Sequence, residues 1–391
     1  MSQLLNERWS ETKEALLEGL SGTRKSSMNV CLENTRKYLA ESATSGATSS
    51  GNIATLNRVI LPVIRRVMPT VIANEIIGVQ PMTGPVGQIH TLRVRYADSS
   101  QEVVAGEEAL SPFKIAQAYS GNDNSSTPKA AATSVLEGQP GKRMSIQILK
   151  APVEAKSRKL SARWTFEAAQ DAQAQQGIDI EAEIMAALAQ EITAEIDQEV
   201  LASLRALATK ELTYDQALVS GTATFVGDEH AALAVMINRV ANLIAQRTRR
   251  GAANWAVISN QALTLLQSAT TSAFARTTEG TFEAPTNTKF VGTLNNSMRV
   301  YVDAYKSDTD DDNQILIGYK GASEADAAAF YCPYIPLMSS GVVLDPATFE
   351  PVVGFLTRYG YLELSNTASS LGNAADYLGK VGITSANVSY Q

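Results

Sequence analysis

From Ile178 to Ala208 the chain runs without a single glycine or proline, and this most restricts what it can become. Apolar residues recur there at Ile180, Ile184, Leu188, Ile192, Ile196, Val200 and Leu204. That spacing predicts one uninterrupted helix, about 45 Å long at 1.5 Å per residue and close to three times the average globular length. Steps of four drift by roughly 40° in a helix of 3.6 residues per turn, so the apolar row winds around the rod. A coiled coil would keep its seam on one side. Glu181, Glu183, Glu191, Glu195 and Glu199 exclude a membrane span. What fits is a long helix met by different partners along its length, with Ala182, Ala186, Ala187, Ala189, Ala194 and Ala202 allowing close approach.

The segment leading into this helix is basic. Lys150, Lys156, Arg158, Lys159 and Arg163 sit among Val153, Leu160, Trp164 and Phe166, which reads as a strand or ribbon with a cationic face. Its cations are the natural counterparts of Glu191, Glu195 and Glu199 on the helix.

With 391 residues, of which 45% are apolar, the chain can build two or three domains around sizeable cores. A net charge of −7 argues against a dedicated nucleic-acid binder. Two clusters, Arg58 with Arg65 and Arg66, and Arg247 with Arg249 and Arg250, read as arginines paired with carboxylates at contacts. Cys31 and Cys332 stand far apart in different contexts, which does not make a disulfide framework and points to a reducing compartment. The charged, amphipathic first twenty residues do not read as a signal peptide, and no run is apolar enough to span a bilayer.

Residues Ser2 to Ala40 read as helical, with an apolar stripe at Leu4, Leu5, Trp9, Leu16, Leu17 and Leu20. Ser42 to Asn52 is nearly pure Ser, Thr, Gly and Ala, a connector composition that makes the first forty residues a detachable appendage. Pro62 and Pro69 break Ile53 to Ile77 into two short pieces. Ile89, Leu92, Val94 and Tyr96 mark a strand, and Asp98 to Gly141 is too poor in large apolar residues for a core of its own, as in an excursion that serves a neighbour. Beyond the long helix come a polar strand-like stretch from Tyr214 to Asp228, a helix from Ala231 to Gln246, a buried strand from Trp255 to Ile258 and a short helix from Asn260 to Gln267. Ser297 to Tyr305 and Gln314 to Tyr319 are expected to pair around the loop SDTDDDN. Phe330 to Leu364 is aromatic, β-branched and punctuated by prolines. The fold class is α+β.

Catalytic ingredients are scarce. His90 lies in a strand and His230 at a helix start, each without an identifiable partner. HExxH, GxSxG, paired CxxC and GxGxxG are all missing, and GQPGK at Gly138 to Lys142 has neither the spacing nor the hydroxyl of a phosphate loop. Asp308, Asp310, Asp311, Asp312 and Asn313 lack the glycine and distal glutamate of an EF-hand and read as a solvated turn. Neither enzyme activity, cofactor nor metal is expected.

Several blocks resemble, in order, the major capsid proteins of T-even-type tailed phages: Ile76 to Tyr96 (IIGVQPMTGPVGQIHTLRVRY), Val153 to Ala208 opening VEAKSRKLSARWTFEAAQDA, Arg249 to Ile258 (RRGAANWAVI), Arg299 to Tyr305 with Gly318 to Gly321 (GYKG), and Tyr331 to Tyr359. The resemblance covers most of Gly51 to Ser365 and implies the Hong Kong 97 phage-type capsid fold. It assigns residues 1–50 to a helical appendage and linker, 51–84 to an N-terminal arm, 85–150 to an extended loop and 151–212 to a peripheral domain with a spine helix. Residues 213–337 become an axial domain, and 338–391 a return to the peripheral domain. The excursion is shorter than in the type member, so a decoration role belonging to the inserted subdomain there is not carried over.

The implied function is a subunit that assembles with itself into hexameric capsomers of an icosahedral or prolate head shell. Partners would be neighbouring capsomers, vertex, portal, scaffold and decoration proteins, and packaged DNA at the inner surface without sequence specificity. No membrane partner is implied, and assembly would take place in the host cytoplasm. Inter-subunit contacts are expected at Arg58, Arg65 and Arg66, at Lys156, Arg158, Lys159 and Arg163, and along the excursion from Glu102 to Phe113. A family-type maturation cleavage fits between Glu41 and Ser42; Leu16, Leu17 and Glu18 match the same short motif. Alternatives are a pentameric vertex protein of the same family and a non-viral shell or surface-layer protein.

Overall fold

In the computed structural model, the residues described are 13–14, 17, 22, 25–34, 72–107, 109, 116–122, 130–176, 179–215, 226–269, 274–276, 289–295, 297–303, 305, 314–348, 350–364 and 373–384. After a helical stretch at 25–34, the chain forms α1 (Ala73–Ile76), β1 (Gly78–Val79), β2 (Val86–Tyr96), α2 (Thr133–Leu136), β3 (Met144–Glu154) and β4 (Lys156–Arg163). There follow α3 (Phe166–Gln176), α4 (Ile180–Leu207), β5 (Lys210–Asp215), α5 (Val226–Thr248), β6 (Trp255–Ile258) and α6 (Asn260–Ser268). Short strands β7 (Phe274–Arg276), β8 (Lys289–Leu294), β9 (Met298–Val302) and β10 (Gln314–Gly318) precede the long β11 (Ala329–Leu344) and β12 (Pro351–Glu363). A 3-10 turn at Ala374–Tyr377 leads into β13 (Leu378–Thr384). The mixture is α+β, as expected.

Two compact units divide the chain, one of Met1–Gly87, Val153–Ser203 and Phe330–Leu362, the other of Gln88–Pro152, Leu204–Ala329 and Glu363–Gln391. The segment 338–391 is thereby split, its part up to Leu362 in the first unit and the rest in the second.

The first unit holds most of α4 and a four-stranded sheet in the order β1-β11-β12-β4. Along β12 burial alternates: Val353, Phe355, Thr357 and Tyr359 are buried while Val352, Leu356 and Arg358 are half-buried, the period of a strand with one covered face. On α4, Met185, Leu188, Ile192, Ile196, Val200 and Leu204 are buried, whereas Ile180 and Ile184 are only half-buried. The helix spans 28 residues, within two residues of the sequence expectation at its start.

The second unit is built on a seven-stranded sheet, β5-β13-β10-β6-β9-β8-β7. α5 turns Leu233, Ile237, Val240, Ala241 and Ile244 into the core, together with Leu265 and Leu266 of α6, Ala256 and Ile258 of β6, and Ile315 and Ile317 of β10. Their i, i+3, i+4, i+7 spacing makes one apolar stripe. Ser259 caps α6, its hydroxyl accepting from the Ala262 amide at 3.2 Å.

Three expectations are corrected here. β9 and β10 do not pair with each other: β6 lies between them, parallel to β9 and antiparallel to β10. All four β6 residues are buried, and a wholly apolar strand belongs at the centre of a sheet rather than at an edge. The strand expected at Tyr214 to Asp228 is Lys210–Asp215, and the helix expected from Ala231 begins at Val226. The excursion after Asp98 does have a small core, in which Tyr96, Val103, Ala109 and Tyr119 are buried together and the two tyrosine rings stand 4.5 Å apart.

Candidate functional site

Arg158, in the middle of β4, is the best-connected of the expected contact residues. Its Nη1 reaches Glu195 Oε2 and its Nη2 reaches Glu199 Oε2, both at 2.6 Å, while Nε donates to the Tyr359 hydroxyl at 2.6 Å. The Tyr359 hydroxyl in turn donates to Glu199. Strand register sets this up: Arg158 lies opposite Thr357 and Lys156 opposite Tyr359, so Arg158 and Tyr359 are diagonal neighbours on one face. Glu195 and Glu199 are one turn apart on α4, which lets one guanidinium fork span both.

The electrostatics follow the geometry. Burial works against the Glu199 carboxylate, but the Tyr359 and Arg158 hydrogen bonds outweigh it and hold its pKa below the usual value. Burial, followed by the bond to Glu199, pushes the Tyr359 hydroxyl upward. The sequence pairing of α4 glutamates with the basic strand is thus met by Arg158.

The other cations of β4 do not share that face. Alternation puts Lys159 and Arg163 opposite to Arg158, and both are exposed; Arg163 Nε lies 3.8 Å from Glu350. A single cationic face is therefore not formed, because neighbouring positions on a strand point to opposite sides. Lys156 is exposed and contributes attraction to Glu199.

Glu102 is half-buried, and its Oε2 accepts from the Gln117 amide at 2.6 Å. Around it Tyr119 donates to the Arg143 carbonyl at 2.6 Å, and Arg143 N–H donates to Asp98 at 2.8 Å. Arg58, Arg65, Arg66, Phe113, Glu41, Ser42 and the acidic loop at Asp308 to Asn313 lie outside the described residues.

Sequence reasoning missed the most exposed apolar surface. β3 pairs only with β2, in a two-stranded ribbon, and most of β3 is exposed on both faces. Met144, Ile146 and Ile148, alternate residues on one face, are 52%, 69% and 61% exposed, and Val86 of β2 is 59% exposed. Three apolar residues in a row on one uncovered face mark an interaction surface. The alternation in MSIQI was there to be read, but alternation alone names no covering layer. A second uncovered patch is Val342, Val343 and Leu344 at the end of β11.

Among the described residues no cluster of His, Cys, Asp and Glu could hold a metal ion, and no helix is long and apolar enough to cross a membrane. His230 is buried with Nδ1 2.6 Å from the Ser268 hydroxyl, while His90 is exposed on β2.

Comparison with known proteins bears on this surface. A family model described as Major capsid protein Gp23 matches residues 53–383. The chain belongs to that family. The major capsid protein of Serratia phage KSP90 is 31% identical over 360 residues, which cover 83% of this chain and 80% of the relative. That of Enterobacteria phage T4 is 29% identical over 416 residues, covering 83% and 78%. Among solved structures, the capsid of Myoviridae phage XM1 aligns with a TM-score of 0.45 at 10% identity, covering 78% of this chain and 89% of that one. As a member of the family, the chain is a major capsid protein, a component of a tailed-phage head shell.

Proposed function

We propose that the chain assembles with itself into hexameric capsomers, which close into an icosahedral or prolate shell around the packaged genome. The observation that carries this reading is the uncovered apolar face Met144, Ile146 and Ile148 on a two-stranded ribbon. A strand pair that buries neither face draws its stability from what docks on it. Shell subunits bury about 2,000–5,000 Å² against neighbours, the scale of permanent assemblies.

In this reading the ribbon is the extended loop of a Hong Kong 97 phage-type fold, α4 the spine helix, and the seven-stranded sheet the axial domain. Lys159 and Arg163, exposed on the far face of β4, are candidates for contacts with a neighbouring subunit, as are Arg58, Arg65 and Arg66 by resemblance. Vertex, portal, scaffold and decoration proteins would be further partners, with DNA met at the inner surface. Assembly would take place in the host cytoplasm and a cut between Glu41 and Ser42 would accompany maturation.

The test is multi-angle light scattering with negative-stain imaging of the purified full chain and of the Ile146→Asp and Ile148→Asp variants. Hexamers or closed shells from the parent, with variants that unfold at the same urea concentration but stay monomeric, are the expected result. Pentamers would assign the vertex role instead. A parent chain that stays monomeric even with its phage's scaffold protein would overturn the reading.

A further inference from the structure

The N-terminal stretch 25–34 is no loose appendage. Ser27, Met28, Cys31, Leu32 and Asn34 are buried, whereas Lys25 and Ser26 are exposed. The spacing of 28, 31 and 32 is that of a helix face laid against a partner. Lys13 pairs with Glu33 at 2.6 Å and ties the preceding turn to the same stretch.

The seat lies within the first unit, at the end of a β ladder. β1 runs parallel to β11, and the ladder continues through Gln80 N–H to the Tyr331 carbonyl and Met82 N–H to the Pro333 carbonyl, both at 3.0 Å. Beyond Met82 the Asn34 carboxamide supplies the next donors, Nδ2 giving hydrogen bonds to the Met82 carbonyl at 2.6 Å and the Tyr334 carbonyl at 3.1 Å. The Cys31 thiol donates to the Pro333 carbonyl at 3.9 Å. One amide group thus bridges two chain segments that would otherwise leave buried acceptors unmet, and only a side chain with two hydrogens on one nitrogen can do so.

We propose that residues 25–34 are a latch keyed by Asn34, and that lifting it uncovers an apolar, acceptor-rich seat through which the chain associates with a second copy of itself. The second copy is the partner because the one segment shown to fit the seat is the chain's own helix, and every copy carries it. Exchange of an identical element is a low-cost route to association. This rests on the shell reading for its biological setting, but the latch can be tested apart from it.

Asn34→Asp is the sharpest probe, since it keeps the shape and replaces the two donors by an oxygen facing two carbonyl oxygens. Cys31 reports the latch: it is fully buried, and burial pushes its thiol up to about 12, so a maleimide reaches it only when the helix lifts. The full chain and the variant are labelled side by side, the modified cysteine is found by peptide mass mapping, and association is followed by light scattering. The expected result is at least tenfold faster labelling of Cys31 in the variant, association at lower concentration, and reversal of that association by a synthetic peptide of residues 25–34. Leu32→Ala, which trims the apolar side of the seat without touching Asn34, should shift both readouts in the same direction. Unchanged labelling in the variant overturns the latch. Faster labelling with unchanged association, or association that the peptide does not reverse, overturns the second-copy seat. A parent chain that never assembles while its Asn34→Asp variant labels faster and forms peptide-reversible pairs would sink the shell reading and leave the latch standing.

Discussion

Arg158 Nη2 meets Glu199 Oε2 at 2.6 Å, so a strand residue and a helix residue 41 positions apart share an ion pair that Tyr359 completes. Three side chains from β4, β12 and α4 lock one sheet face to one helix within the first unit.

Because Glu199 titrates below its ordinary value in the folded chain, its ionised form stabilises the fold above the unfolded carboxylate pKa of about 4.3, and that contribution disappears as pH falls through the lower folded value. Both partners are partly exposed, so solvent screening limits the effect to about 1 kcal/mol. Glu199→Gln should lower stability by that amount at pH 7 and by progressively less toward pH 3, read as converging urea midpoints for parent and variant.

The Arg205–Asp303 pair should cost more. Arg205 Nη2 lies 2.7 Å from Asp303 Oδ2, with the aspartate side chain wholly buried, and Asp303 also accepts from the Tyr305 amide at 3.1 Å. Arg205→Met leaves a buried carboxylate without its cation and should destabilise the second unit by about 3–5 kcal/mol. Adding Asp303→Leu should recover a large part of that loss, measured by the same urea titration.

How much of this was legible in the sequence depended on range. α4 and β6 could be read directly, the first from the glycine-free run Ile178 to Ala208 and the second from four consecutive apolar residues, Trp255 to Ile258. The pairing of β9 with β10 misled, because their closeness in sequence says nothing about β6, an earlier strand, entering between them. The seat of Asn34 was invisible because its acceptors are backbone carbonyls of Met82 and Tyr334, which carry no side-chain signature. The ribbon of Ile146 and Ile148 looked like any half-buried strand until the missing layer could be seen.

Gly318 should tolerate no side chain. A Cβ there would lie 2.1 Å from Trp255 Cζ2, and the indole is 2% exposed in the centre of the sheet. Gly318→Ala forces the ring off its packing position, a cost of about 1–3 kcal/mol. The expected signs are a lower urea midpoint and a changed near-ultraviolet circular dichroism band, with far-ultraviolet helix content unchanged.

His230 should make the second unit sensitive to mild acid. The Ser268 hydroxyl donates to the Thr264 carbonyl at 2.9 Å, so its proton is committed and His230 Nδ1 must bring the hydrogen to their shared 2.6 Å contact. Nε2 is buried with no hydrogen-bond partner, and protonating it would place a donor and a positive charge near the start of α5, where the helix dipole is already positive. Burial accordingly lowers the imidazole pKa, with Glu229 offsetting part of that shift. A folded pKa below the ordinary 6.5 means stability that is complete above that value and lost as pH falls through the lowered one. Parent protein should therefore unfold at lower urea at pH 5 than at pH 7.5. His230→Asn, whose amide can replace the Nδ1 hydrogen but cannot titrate, should start less stable and show a smaller difference between the two pH values. An equal difference in both proteins would place the acid sensitivity elsewhere.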